Sequence, residues 1–303
     1  MRVLVSGGAG FIGSALVRAL AERGDPVIVV DGAFARELPA GVEQLHIDVA
    51  DPTAMLGVFD RCHPEAVVHL AAILTDGCAE DIVKGTSVNC LGTAVMLAAC
   101  QRVGVARLLI TTSVAALGEP GRESVYGLTK RYAEHLARLW ELEHPETRVS
   151  MARLGWVYGP GRVRGWRDLQ AVIEAFARGD AEIHYPNFPD PLDWTYISDA
   201  VEGLLAVLDR APDHAPVVDI GGDLRYVRDA IQHLEGRYPE AKAIGHKAVP
   251  PPAAWRLDRS YLEGQLGCGP AIRLEDGLDL TTAALTQGAA FSGAVHDARG
   301  PGE

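Results

Sequence analysis

Positive charge is in short supply in this chain. Its 28 Lys and Arg stand against 40 Asp and Glu, a formal net charge of −12. A general nucleic-acid binder needs a basic face for phosphates, so no nucleic-acid partner is expected, although a local basic pocket is compatible with the balance. Metal-ligand spacing is missing too. The five cysteines, Cys62, Cys78, Cys90, Cys100 and Cys268, form no CxxC pair, so no metal site is expected. Dispersed thiols fit a reducing cytoplasm. Long hydrophobic runs are absent. The first apolar stretch starts at residue 3 and is broken by glycines, so it is neither a signal h-region nor a spanning helix. No later run reads as long enough to span, and no membrane role is expected. There is no internal repeat.

What is present is alternation. "RVLVS" (2–6), "PVIVVD" (26–31), "EQLHID" (43–48), "AVVHLAA" (66–72), "ARLLITTS" (106–113) and "RVSMARLGWVYG" (148–159) read as strands. Helical patterns at 11–24, 52–60, 89–103 and 126–144 lie between them. Such alternation predicts parallel strands joined by crossover helices, and the strands are apolar on both faces, as a sheet covered on both sides requires. Beyond about residue 160 the texture changes. "PNFPDPLDW" (186–194) holds three prolines and reads as loop. Helices are expected at 168–179, 198–210 and 226–237, and one more strand in "VVDIGG" (217–222). Residues 288–303 lack periodicity and are expected to form a mobile tail.

Gly7, Gly10 and Gly13 lie between the first strand and the first helix. A dinucleotide site needs glycines there for a tight turn, for close approach of a pyrophosphate and for close helix–strand packing. The phosphates would meet the free N–H groups and positive dipole end of helix 11–24. A glycine-rich turn without a ligand would look the same. The second strand decides between them, because it ends on Asp31 at the spacing of about 20 residues where an acid accepts hydrogen bonds from an adenosine ribose. That carboxylate also repels a 2′-phosphate and favours NAD over NADP, with Arg36 nearby as a complication.

"SVYGLTK" places Tyr126 and Lys130 four apart on one helical face. A phenol with a reference pKa of about 10 is a poor base. A neighbouring ammonium and the positive ring of an oxidised nicotinamide would favour its phenolate. Ser113, at the end of the strand in "LLITTSVAALG", is placed to hold a substrate oxygen near Tyr126.

With these residues in view, the chain resembles the extended short-chain dehydrogenases/reductases, also called the NAD-dependent epimerase/dehydratase family, from about residue 1 to 285. "GGAGFIG" (7–13) is similar to the family's phosphate loop, "HIDVAD" (46–51) and "VVHLAA" (67–72) to segments along its cofactor, and "VNCLGT" (88–93) to its VNxxGT segment. "TTSVAALG", the YxxxK of Tyr126 and Lys130, "RLGWVYGPG" (153–161) and "DWTYISDAV" (193–201) complete the likeness. The resemblance implies a Rossmann-type doubly wound parallel sheet with a smaller, discontinuous C-terminal substrate-binding α/β domain. Residues 1–155 with about 192–222 would bind NAD, and about 156–191 with 223–287 would bind substrate. It implies cofactor contacts from Gly7, Gly10, Phe11, Ile12, Gly13, Asp31, Asp48, Val49, Leu70, Ala71, Ala72, Asn89, Thr111, Tyr126 and Lys130, with Asn89 holding strand–helix geometry. Ser113, Tyr126 and Lys130 would be catalytic, and Thr75, Ser113, Trp156 and Arg162 would line the substrate. A homodimer through helices 89–103 and 126–144 is implied as well.

The departures narrow the chemistry. Dehydratases and decarboxylases of the family carry acidic residues where Val114 and Ala115 stand, so both activities are disfavoured. Nucleotide-sugar enzymes grip a diphosphate with an Asn and an Arg where this chain has Trp156 and Leu192. Arg162, Arg164 and Arg167 are either another anion site or a solvated loop. The expected activity is NAD-dependent hydride transfer at a secondary alcohol or ketone of a sugar-like small molecule. A nucleotide-sugar 4-epimerase holding NAD tightly is the first alternative, and a non-catalytic NAD(H)-binding sensor the second.

Overall fold

The computed structural model describes residues 1–34, 36–118, 123–162, 167–247 and 256–287. The expected tail at 288–303, Arg164, Trp166 and the side chain of Arg167 lie outside these residues. The chain begins with β1 (Val3–Ser6), α1 (Phe11–Glu22), β2 (Val27–Asp31), β3 (Glu43–His46), α2 (Pro52–Cys62) and β4 (Ala66–His69). Two short helices follow, α3 (Thr75–Glu80) and α4 (Ile82–Thr86), then a π-helical turn (Ser87–Leu91) and α5 (Gly92–Val103). After β5 (Arg107–Ser113) come a 3-10 turn (Val114–Leu117), α6 (Val125–Glu143) and β6 (Arg148–Leu154).

These strands, with a later one, form a seven-stranded parallel sheet. Its members read as unbroken apolar runs because both faces are covered. Their side chains alternate between two cores. Val3, Val5, Val27, Val29 and Leu109 enter one, while Leu4, Ile28, Val30, Leu108 and Ile110 enter the other, as the period of two demands. The helix ends are set locally. Asp51 caps α2 by accepting from Ala54 N, with Pro52 in the first turn, and Gly24 takes φ +85° just beyond α1.

The second half contains β7 (Trp156–Tyr158), α7 (Arg167–Arg178), β8 (Glu182–Asn187), β9 (Leu192–Tyr196), α8 (Ile197–Arg210), β10 (Val218–Ile220), β11 (Asp223–Arg225), α9 (Val227–Arg237), β12 (Lys242–Lys247), α10 (Ser260–Gly264) and α11 (Leu274–Thr286). The large sheet runs β10-β6-β5-β4-β1-β2-β3, and β11-β9-β7 and β12-β8 make two smaller sheets. Two expectations change. The stretch 148–159 is two strands in different sheets, parted at Gly155. The proline-rich stretch 186–194 is loop only at its centre, since β8 reaches Asn187 and β9 starts at Leu192. Three prolines do not exclude strand here because Pro186 lies in a two-stranded sheet, where only one side of each strand needs donors.

One further expectation is revised. Ile82–Val103 runs on through the π turn as one helix that by length and composition could cross a membrane. It was not legible as such because the π turn and several glycine and threonine positions interrupt its apolar pattern. Half of its apolar window is buried inside the fold, where α5 packs on α2 and α6.

Candidate active site

Strand order reverses direction at β1, which lies between β2 and β4. Ligands of open α/β sheets bind at the carboxyl ends beside such a switch point. Here β1 runs into the glycine loop. Gly7 has φ +74°, and a Cβ on it would lie 2.6 Å from the backbone N of Ala71, just past β4. A Cβ on Gly13 would overlap the carbonyl oxygen of Gly7. Side chains are therefore barred at Gly7 and Gly13 by the protein's own backbone. Gly10 caps α1 without a side-chain bond, no acid stands in the first turn, and Phe11 and Ile12 open the helix. Asp31, at the end of β2, accepts from Ala9 N at 3.0 Å and Ala33 N at 3.1 Å, so its carboxylate sits against the loop. Asp48 accepts from Ala50 N at 2.9 Å, and Val49 is buried against Gly92.

The end of β4 carries Leu70, Ala71 and Ala72, all half-buried. Asn89, in the π turn, spends its amide on the segment beyond them. Its Oδ1 accepts from Ile73 N at 2.8 Å, and its Nδ2 donates to Ile73 O at 2.9 Å and to Thr129 Oγ1 at 3.0 Å. It thus ties the β4–α3 connection to α6. Thr75, half-buried, opens α3 just beyond.

The third group gathers at β5 and α6. Ser113 ends β5 and its Oγ accepts from Ala115 N at 3.2 Å. The Tyr126 phenol lies beside the Ser113 side chain. Burial pushes the phenol up to about 12, against the opposing influence of Ser113 and the Arg162 charge. Lys130 lies one helical turn on, with its Nζ 5.7 Å from the Tyr126 ring centroid and donating to Thr111 O at 3.1 Å. Burial pushes its ammonium down to about 8, while Cys78, Cys90 and Glu134 hold it up. Thr111 in turn donates to His69 O at 2.9 Å. α6 starts where it does because Ser124 caps it, accepting from Gly127 N at 3.0 Å.

Arg162 reaches this group from beyond β7. Its guanidinium stands 5.8 Å from the centroid of Phe11 and 5.2 Å from that of Trp156, and it donates to Val157 O. Burial lowers its pKa to about 10 and the Tyr126 oxygen opposes the shift. Trp156 is buried, stacks at 5.7 Å on Tyr158, meets Trp194 edge-on at 4.7 Å, and leaves its indole Nε1 without a protein partner.

A model of the NAD dependent epimerase/dehydratase family matches residues 3–221. The chain belongs to that family. Among its relatives is a dTDP-L-rhamnose 4-epimerase of Burkholderia thailandensis, 27% identical over 91% of this chain and 93% of its own length. Another is UDP-glucuronic acid decarboxylase 1 of Arabidopsis thaliana, 29% identical over 92% of this chain and 68% of its own. A UDP-glucose 4-epimerase of Thermus thermophilus, solved in complex with NAD, superposes with a TM-score of 0.83 at 26% identity, over 96% of this chain and 100% of that one. As a family member the chain is an extended short-chain dehydrogenase/reductase enzyme of Rossmann type, and its cofactor is NAD.

Several further residues hold the site from behind. His69 is fully buried, its Nδ1 2.6 Å from Ser6 Oγ and its Nε2 3.4 Å from Thr93 Oγ1. Burial, with the Lys130 charge, drives its pKa down to about 3. Arg131 donates to Ala116 O at 2.8 Å, to Gly118 O, and to Glu123 Oε1 at 3.1 Å. Glu134 accepts from Thr112 Oγ1 at 2.7 Å and takes both arms of Arg153 at 2.8 and 2.7 Å. In the sequence His69 stands in "VVHLAA" and Arg153 opens "RLGWVYGPG", while Glu134 stands four residues past Lys130 on the same helical face.

Proposed function

We propose that the enzyme moves a hydride between NAD and a secondary alcohol or ketone of a sugar-like small molecule. The observation that carries this reading is the gathering of Ser113, Tyr126 and Lys130 at the end of β5 and the start of α6, with Lys130 Nζ 5.7 Å from the Tyr126 ring centroid and anchored on Thr111 of the same strand. Tyr126 takes the alcohol proton, or returns it to a ketone, while Ser113 orients the reacting oxygen and Lys130 supplies positive charge beside the phenol. NAD supplies the hydride acceptor at C4 of its nicotinamide.

The residues fit such a cofactor chemically. The uncapped, acid-free start of α1 suits a diphosphate, and the Asp31 carboxylate suits a ribose diol. We assign Gly7, Gly10, Phe11, Ile12 and Gly13 to the diphosphate, Asp48 and Val49 to the adenine end, and Leu70, Ala71, Ala72 and Thr111 to the nicotinamide side. Asn89 supports them from behind. Thr75, Trp156 and Arg162 line the substrate. Residues 156–191 and 223–287 form the substrate lobe and the two segments 1–155 and 192–222 the cofactor lobe, with β9 (Leu192–Tyr196) of the latter pairing into the small sheet β11-β9-β7 and joining the two.

The substrate is read as sugar-like with no family-type grip on a diphosphate. Trp156 and Leu192, which stand where the family's gripping Asn and Arg would be, are 3% and 0% exposed. A nucleotide-sugar 4-epimerase is the second reading, favoured by the 4-epimerases among the relatives. One experiment separates them. The pure enzyme is offered free sugars, sugar acids and nucleotide sugars with NAD. Accumulating reduced cofactor identifies a dehydrogenase, whereas interconversion of two sugars without it identifies an epimerase.

We assign the protein to the cytoplasm, in keeping with its five free cysteines, and read it as a homodimer. On α6, Leu128, Tyr132, Leu139 and Leu142 recur at helical spacing and are 49%, 44%, 65% and 74% exposed. Ile82, Val83 and Leu91 line one shallow apolar groove with Tyr132. A contiguous apolar face of this kind marks an interaction surface.

A further inference from the structure

Arg36 enters no sequence motif. It comes from the loop between β2 and β3, yet its guanidinium donates across the molecule to Gly161 O, 125 residues away, and stands 5.9 Å from the centroid of Phe11. Phe11 is the first residue of α1, the helix whose start carries neither a side-chain cap nor an acid. Arg36 is half-buried, has no carboxylate within ion-pair distance among the described residues, and feels the Arg18 charge as well. Arg162 stands at the same ring. Desolvating like charges together is unfavourable unless an anion is also present.

Two anions of a dinucleotide are conceivable partners for an arginine placed five residues after Asp31. One is the 2′-phosphate of NADP at the ribose, and the other is the diphosphate at the helix start. The geometry favours the second. Asp31 bonds to Ala9 N and Ala33 N, whereas Arg36 turns toward Phe11 and Gly161. We propose that Arg36 is a cofactor-holding residue whose guanidinium pairs with the diphosphate of bound NAD while its bond to Gly161 fastens the β2–β3 loop over the site. The assignment rests on NAD lying along the glycine loop. A planar fork with five donors is able to serve a phosphate oxygen and a carbonyl at once.

The test is titration calorimetry with NAD and NADP on cofactor-stripped wild type, Arg36→Ala and Arg36→Lys, at low and at high salt. Arg36→Ala is expected to weaken NAD binding about 10- to 100-fold, the range of a charge-assisted hydrogen bond. Its affinity should also fall less steeply with salt than that of wild type, because a screened charge pair has gone. Arg36→Lys, which keeps the charge, should keep the wild-type salt dependence at intermediate affinity. Unchanged NAD affinity in Arg36→Ala overturns the proposal. So does weaker binding with an unchanged salt dependence, which would make Arg36 a loop fastener only. A wild type that prefers NADP and loses that preference in Arg36→Ala overturns it in favour of the 2′-phosphate. If wild type takes up neither dinucleotide, the cofactor site itself is wrong, a failure distinct from those of the variants.

Discussion

Tyr126 is a poor base where it stands, because burial has pushed its phenol up to about 12, with Ser113 and the Arg162 charge pulling the other way. The added positive charge of an oxidised nicotinamide is what would make the proton mobile, so proton transfer and cofactor loading are coupled. Tyr126→Phe is expected to lower kcat by about 10²–10⁴-fold, the usual contribution of a general acid–base group. Its NAD affinity should stay within about twofold of wild type, as measured by calorimetry. His69 yields a pH prediction. Its folded pKa of about 3 lies below the ordinary value of 6.5, so below 6.5 the unfolded chain binds a proton that the folded chain refuses. Stability from this group is fully present above pH 6.5 and drains away as the pH falls toward 3, by about 1.4 kcal/mol per pH unit. A series of thermal melts should show that acid arm, and His69→Asn should flatten it. An arm of unchanged slope would trace the loss to another group. At this scale the sequence was most legible where chemistry depends on spacing along one element: Gly7 to Gly13, and Tyr126 to Lys130. The pairing of Ser6 with His69 spans 63 residues and that of Arg36 with Gly161 spans 125. Such partners are brought together only by the order of strands in the sheet, which no local pattern encodes.

Among the elements, α6 has the most to coordinate. It presents Tyr126 and Lys130 on one side, and through Arg131 it grips the turn that follows Ser113 by way of Ala116, Gly118 and Glu123. Arg131 therefore holds the serine turn and the tyrosine helix in one frame without touching either reacting oxygen. Arg131→Ala should lower kcat while leaving the calorimetric affinity for NAD within about twofold, because the glycine loop lies elsewhere. A parallel loss of NAD affinity would show a wider collapse. Helices α1, α2 and α6 of the first half were legible to within a few residues from their apolar periodicity, whereas α3 and α4 were not read at all. β7 was hidden because Gly155 divides a single apolar run between two sheets. β8 and β9 were hidden because proline counts argue for loop where a strand needs donors on one side only.

For the whole molecule, the exposed apolar side chains of α6 and its neighbour α4 line a shallow groove between them. Sedimentation should find a dimer, and Leu139→Glu with Leu128→Glu should shift it to monomer with the fold retained by circular dichroism. A wild type that sediments as a monomer at micromolar concentration would remove the need for that interface. The general architecture was legible because strand–helix alternation admits few topologies. The helix Ile82–Val103 was not, since its apolar side serves both the interior and the exposed face.

The network at the back of α6 has one more consequence. Glu134 is held by Arg153 on β6, and Arg153 also reaches Asp219 at 3.5 Å. Asp219 lies opposite Arg153 in the register of β10. The helix that bears Tyr126 is thus braced by a strand translated long after it. As the chain leaves the ribosome, the charges of Glu134 and Arg153 lack their third member until Val218–Ile220 emerges and slots in at the sheet edge. The reactive centre should therefore mature late in synthesis, and a nascent chain stalled before that strand should hold the glycine loop but not a settled tyrosine.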